Sequence, residues 1–413
     1  MRVIILAILL GGYILELIVE SLNVRCASPV LPKEFEGYYD AYKYRQSQDY
    51  LNKNTNFQLI KEMFFTFIIV VFIITGGFNF VDRFARSFNF GHILTGLIFA
   101  GILLLAFQIL DIPFSAYHIF VIEEKHGFNR TSVKTFILDI IKSWILGAII
   151  GGIIFAGVIW FFDKLGFLAW VYCWIGVTLF QLFLIFIAPV TIMPLFNKFI
   201  PLEPSAIKDA IENYADSQKF KIKGIFKMDA SRRSVKSNAF FTGFGKYRRV
   251  ALFDTLIERQ SSDELVSILA HEIGHYKKGH ILKHIVLSIV TTGLMFFIFS
   301  FFINNKGLFS AFKMEKTSIY ASLVFFSFLY TPINFILSIF TNAISRKYEY
   351  EADEFSVRTY KKPEAMILAL KKLTVDNLIN LTPHPLKVFL HYSHPPVLER
   401  IKAIRAMAIE SIK

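Results

Sequence analysis

Residues 143–162 read SWILGAIIGGIIFAGVIWFF, twenty residues without a charge. Inside hydrocarbon a backbone must satisfy its own polar groups, so such a stretch crosses a bilayer as a helix, and about 20 residues suffice. Working outward, uncharged runs recur at 64–81, 91–110, 165–197 and 317–345. The pattern predicts seven spans, near residues 3–21, 64–82, 91–111, 143–163, 167–195, 283–304 and 318–344. The expected fold class is therefore mainly α and integral to a membrane. Composition agrees: 54% of the 413 residues are hydrophobic and 46 are Phe. With a mean hydropathy of +0.49 the chain is too apolar for one soluble domain of this length. Residues 1–28 mimic a signal peptide ending near Cys26-Ala27-Ser28. The long apolar stretch, interrupted late by Glu16 and Glu20, fits a retained span better.

Four regions follow: 1–195 with five spans, a polar insert at 196–280, two spans in 281–344, and a polar tail at 345–413. With seven spans the termini face opposite sides. Connections 22–61, 112–142 and 196–283, together with the tail, then share one side and hold 38 of the 45 Lys and Arg. That asymmetry puts them in the cytosol. The net charge of +13 is thereby read as topology and contact with anionic lipid, and no nucleic-acid partner is expected. The two cysteines, Cys26 and Cys173, support neither a disulfide framework nor a Cys-based metal site.

Within the insert, Lys219–Met228, Ser237–Phe244 and Arg248–Phe253 alternate in a β-leaning way, with Gly243, Gly245 and Lys246 as a turn. A small sheet or hairpin is expected. Ser261-Ser262-Asp263-Glu264 then opens a helix, with Glu264 in capping-box spacing from Ser261.

That helix carries His271-Glu272-Ile273-Gly274-His275, an H-E-x-x-H. Residues four apart share one helical face, so both imidazoles reach a single ion, and Glu272 beside them can take a proton from water. One Zn2+ suits the set, because zinc accepts His nitrogen and carboxylate oxygen and keeps a position open for water. The pattern alone is not specific, but a third ligand is at hand. Ser345-Arg346-Lys347-Tyr348-Glu349-Tyr350-Glu351-Ala352-Asp353 continues from the last span. Glu349 and Asp353 share a face while Glu351 points elsewhere. Glu349 is read as the ligand, and Asp353 as the acceptor behind a ligand histidine. The competing reading is a solvated charged helix face. His275 precedes the sixth span by about six residues, roughly 9 Å of helix, so the metal lies at or inside the membrane boundary. His280 and His284 are read as continuing the helix past the ligand face, without a role. His92, His118, His126, His384 and His391 are likewise read as structural.

Beyond these residues the chain resembles the CAAX prenyl protease 1 family over nearly its whole length. The resemblance rests on Ile122-Glu123-Glu124-Lys125-His126-Gly127-Phe128-Asn129, Ile187-Ala188-Pro189, and Pro194-Leu195-Phe196-Asn197-Lys198-Phe199. It continues in Ser237-Asn238-Ala239-Phe240-Phe241-Thr242-Gly243-Phe244-Gly245 and Leu252-Phe253-Asp254-Thr255-Leu256. The H-E-x-x-H follows, then Ser345-Arg346 with Glu349 and Asp353. Tyr392-Ser393-His394-Pro395-Pro396-Val397-Leu398-Glu399-Arg400 closes the set. The resemblance implies a helical barrel around a water-filled chamber with zinc at its cytosolic end. It also implies Glu349 as third ligand and an active site lined by Asn238 and His394. Asn238 would help pair an extended substrate through backbone hydrogen bonds. His394, which by itself reads as a loop histidine, would donate to the developing oxyanion.

The expected activity is a zinc endopeptidase acting at the membrane boundary on peptide or protein chains, removing the C-terminal tripeptide of prenylated CAAX proteins or cutting related membrane-associated peptides. Two alternatives stand beside it. A general membrane quality-control protease has relatives that are usually smaller. A polytopic metal or solute transporter would show ionisable residues paired within spans. The expected location is the endoplasmic reticulum or a bacterial inner membrane, since the chain ends Glu410-Ser411-Ile412-Lys413 without a dilysine signal.

Overall fold

The computed structural model describes residues 1–242 and 249–410. The expected turn at Gly243, Gly245 and Lys246 lies outside them. Chain order begins with α1 (Arg2–Cys26), α2 (Ala41–Thr75), α3 (Gly77–Ser87) and α4 (His92–Tyr117). A π-helical segment His118–Glu123 continues α4, and α5 (Val133–Lys164), α6 (Ala169–Thr191) and α7 (Met193–Phe196) follow. The insert supplies β1 (Phe199–Pro201), α8 (Ala206–Ser217), β2 (Gly224–Met228), β3 (Ala239–Thr242), β4 (Arg249–Phe253), α9 (Asp254–Arg259) and α10 (Ser262–Lys277). Then come α11 (His280–Ser300), α12 (Lys306–Ala311), α13 (Ile319–Tyr360), α14 (Pro363–Asp376), α15 (Pro385–His391) and α16 (Val397–Glu410).

Among the described residues, seven helical runs are long and apolar enough to cross a membrane, as the apolar pattern predicts. Their limits differ from the expectation where the helix and the apolar run part company. The second runs from Ala41 to Thr75 rather than over 64–82. It stops because Gly76 adopts a left-handed conformation, φ 82°, that caps the helix onto the Phe72 carbonyl. The last is one continuous helix of 42 residues reaching Tyr360, so the span itself extends into the segment with Glu349. Phe67, Ile153 and Leu179 stand outward and exposed, as side chains facing lipid do.

The sheet has the order β1-β2-β4-β3. β2 and β4 run parallel, and β3 is antiparallel to β4 at an edge. β1 was not expected; it is three residues long, ends at Pro201 and pairs antiparallel with β2. Helix α10 is buried along most of its length. Leu265, Val266, Leu269, Ala270 and Ile273 are buried in one core with Ile211 of α8, Val250 and Leu252 of β4, and Ala369 of α14. A helix enclosed on so many sides has little freedom to tilt, which makes it a stable platform for ligands.

Candidate active site

The site begins with the cap of α10. Ser261 N–H donates to Glu264 Oε2 at 2.7 Å and the Ser261 hydroxyl accepts from Glu264 N–H, a complete capping box. Lys372 reaches the same carboxylate at 2.7 Å. Two turns on, His271 and His275 bring their Nε2 atoms to 3.1 Å of each other. Gly274 between them explains how α13 comes so near. A Cβ there would stand 3.0 Å from Phe355 Cβ and 3.1 Å from Ala352 Cα, so any larger residue would push α13 back by a few tenths of an ångström. Glu349 thereby meets both imidazoles: Oε1 is 3.3 Å from His275 Nε2 and Oε2 is 3.5 Å from His271 Nε2. Ligand atoms of the three residues all lie within 4.8 Å of one another.

The donor set fits a divalent metal. Two imidazole nitrogens and one buried carboxylate converge, the donor set that zinc accepts. Asp353, 0% exposed, stands behind His271 with Oδ1 at 2.8 Å from Nδ1. An N–H at Nδ1 leaves the lone pair on Nε2, facing the metal position.

Arg400 completes this corner and had no role assigned from the sequence. It donates to both Asp353 oxygens, at 2.9 and 2.6 Å, and its Nη1 stands 3.2 Å from Glu349 Oε2. Burial opposes its charge, but Asp353 and Glu349 outweigh that and hold the guanidinium firmly protonated. An arginine on an amphipathic helix ordinarily reads as solvated, and nothing local in the sequence marks this one as buried.

Glu272 faces the same cavity as the two histidines. Burial pushes its carboxyl above the ordinary carboxylate range, towards the basicity a proton acceptor needs near neutrality. His394 Nε2 lies 3.3 Å from Glu349 Oε1, and its Nδ1 is 2.9 Å from the Ser393 hydroxyl. Its loop is held by the last span: Arg346 donates to the carbonyls of Val388 and Tyr392, and Asn342 to that of Leu390. Asn238 immediately precedes β3, accepting from Phe253 N–H through its carbonyl. Asn377 braces the neighbouring Ser237 on both backbone atoms. One residue earlier, Lys236 is anchored to Glu123 and to the Tyr50 hydroxyl. Asn238, His271, Glu272, His275, Glu349 and His394 line a cavity of about 990 Å³, which also takes in Pro189, His284, Tyr348 and Pro396.

One expectation is corrected. His280 does not continue α10, because Gly279 adopts φ 70° and starts a new helix. The turn folds His280 back onto His275, their Nδ1 atoms 3.1 Å apart. Glu351, read as pointing elsewhere, receives the other nitrogen of His280 at 2.9 Å. The spans are also less free of paired charge than their composition suggested. Glu16 and Glu20 of α1 meet Lys387, His391 also meets Glu16, and Lys61 meets Asp111.

Comparison with known proteins gives these residues a family. A family model described as CAAX prenyl protease N-terminal, five membrane helices, matches residues 20–198, and one described as peptidase family M48 matches residues 201–408. A CAAX prenyl protease 1 homolog of Oryza sativa subsp. japonica is 35% identical, with 91% of this chain and 90% of the relative covered. CAAX prenyl protease 1 of Saccharomyces cerevisiae is 34% identical, with 91% and 88% covered. The crystal structure of S. mikatae Ste24p superposes with a TM-score of 0.93 at 32% identity, covering 98% of both chains. The chain is a multi-pass membrane metalloendopeptidase, and it belongs to the CAAX prenyl protease 1 family within peptidase family M48.

Proposed function

We propose that one Zn2+ is held by His271, His275 and Glu349, and that the site faces the cytosol and cuts prenylated CAAX chains close to their C-termini. The observation that carries this reading is the convergence of the two histidines on the buried carboxylate of Glu349, with ligand atoms of all three within 4.8 Å of one another. Zinc, when bound, supplies a Lewis acid for the scissile carbonyl and lowers the pKa of water to about 7.

The chain's own residues supply the rest. Glu272 accepts a proton from the attacking water and passes it to the leaving amide nitrogen. An extended substrate adds along β3, the edge strand beside Asn238, so that backbone hydrogen bonds set which peptide bond is presented. His394 donates from Nε2 to the carbonyl oxygen as charge gathers there, a contribution of about 3–4 kcal/mol in comparable sites. Asp353 holds His271 in the tautomer that leaves its Nε2 free, and Arg400 keeps Asp353 ionised. On this reading residues 1–195 and 281–344 form the membrane scaffold, while 196–280 and 345–413 carry the chemistry. The strong bias of Lys and Arg to the connections on the site's side supports a cytosolic position. A site beside α11 and α13, both long enough to span, suits chains already held at a bilayer, including lipid-modified ones in the endoplasmic reticulum or a bacterial inner membrane.

The test uses the purified protein in lipid with a farnesylated CAAX peptide and its unmodified twin, the products read by mass spectrometry. Release of the terminal tripeptide from the farnesylated peptide alone, or much faster from it, supports the substrate class. Equal cleavage of both would favour a broader quality-control protease.

A further inference from the structure

We infer that His280 and Glu351 form a positioning relay for the second histidine, built differently from the Asp353–Arg400 pair that backs the first. The inference rests on the metal reading of His271, His275 and Glu349 above.

The two histidines have unequal supports. His271 Nδ1 meets a carboxylate directly, Asp353 at 2.8 Å. His275 Nδ1 meets another imidazole, His280 Nδ1 at 3.1 Å. An imidazole serves as a metal ligand only through a nitrogen that carries no hydrogen, so His275 must hold its proton on Nδ1 if Nε2 faces the ion. The acceptor that the described residues offer that proton is the Nδ1 lone pair of His280. His280 then carries its own proton on Nε2, and Glu351 Oε2 stands 2.9 Å from that atom to accept it. Every donor thus has one acceptor and the direction is uniform: His275 to His280 to Glu351. Reversing it would put a hydrogen on His275 Nε2 and close the ligand position.

Three further features hold His280 in place. It is 1% exposed. Its ring stacks on Tyr348 at 4.0 Å between centroids and 5° between planes. Gly279 makes the left-handed turn that returns it to His275. Tyr348 and Glu351 flank Glu349 on α13, so the same helix that offers the carboxylate ligand also orients the second histidine.

His280→Phe tests this with the ring and its stack kept and both nitrogens removed. Zinc affinity is read by competition with a chelator of known strength, alongside the unfolding midpoint of the metal-free protein. The relay predicts a ten- to hundred-fold loss of affinity. Glu351→Leu should lose nearly as much, and adding it to His280→Phe should cost nothing more. Glu351→Gln, whose amide oxygen can still accept from His280, should retain most of the affinity. Asp353→Asn combined with His280→Phe should show losses that add. A His280→Phe affinity within twofold of wild type overturns the relay, as does a variant whose only change is a lower metal-free midpoint. His275→Ala separates the two readings. Zinc lost in His275→Ala but kept in His280→Phe sinks the relay alone, whereas zinc kept in His275→Ala sinks the metal reading together with it.

Discussion

At the scale of single residues, Gly274 sets how closely α13 approaches the two histidines. It sits between the two histidines, where its missing side chain lets the backbone of Ala352 come within van der Waals distance. Gly274→Ala should push α13 away by a few tenths of an ångström, with no flexible side chain to absorb the strain. The expected result is zinc affinity at least tenfold weaker and an unfolding midpoint lowered by an overpacking cost of about 1–3 kcal/mol. Unchanged zinc affinity in a folded Gly274→Ala protein would show that the approach of Glu349 is not set there. The gathering of His271, His275, Glu349 and Asp353 was legible because helical spacing puts each pair on one face. Arg400 and His280 were not, because their roles depend on partners 47 and 71 residues distant in sequence, Asp353 and Glu351.

At the scale of elements, α15 ties the loop of His394 to the first span. Lys387 lies 2.5 Å from Glu20 and 3.9 Å from Glu16, with all three side chains largely withdrawn from solvent. Lys387→Met should leave Glu20 of α1 without its cation and Glu16 with His391 alone. The predicted cost is about 1–3 kcal/mol of stability, seen as a lower unfolding midpoint in detergent. Activity should fall with it if α15 is what seats His394. The capping box of α10 was readable because it is written in four consecutive residues. The pairing of α1 with α15 was not, since a Glu near the end of an apolar run gives no sign of which distant cation will meet it. β1 escaped for a related reason: three residues ending in proline become a strand only because β2 offers them an edge. The apolar run 64–82 misplaced the end of α2 because hydropathy does not register the left-handed turn at Gly76.

Across the whole molecule, the segment between the first two spans is fastened to the C-terminal helices. Glu34 forms a two-pronged pair with Arg405, both contacts 2.7 Å, and lies 2.6 Å from the buried Lys371. Burial raises the Glu34 carboxyl, but the hydrogen bonds from Lys371 and Arg405 outweigh it and hold the group below its usual range. A carboxyl depressed in the folded state adds stability above its ordinary pKa, and that contribution disappears as pH falls through the depressed value. Wild type should therefore unfold at a higher temperature than Glu34→Gln at neutral pH, and the gap should narrow on acidification. A gap that stays constant from pH 7 to pH 3 would contradict the clamp.

The central claim is a metal site whose hydrolytic step depends on the carboxylate of Glu272, and one measurement bears on it most directly. Glu272→Gln removes the proton acceptor while leaving His271, His275 and Glu349 intact, so bound zinc and peptide cleavage should separate. Measured on the same purified sample in lipid, zinc should remain at one ion per chain while cleavage of the farnesylated peptide falls by at least a hundredfold. Cleavage that continues near the wild-type rate with zinc in place would contradict the account.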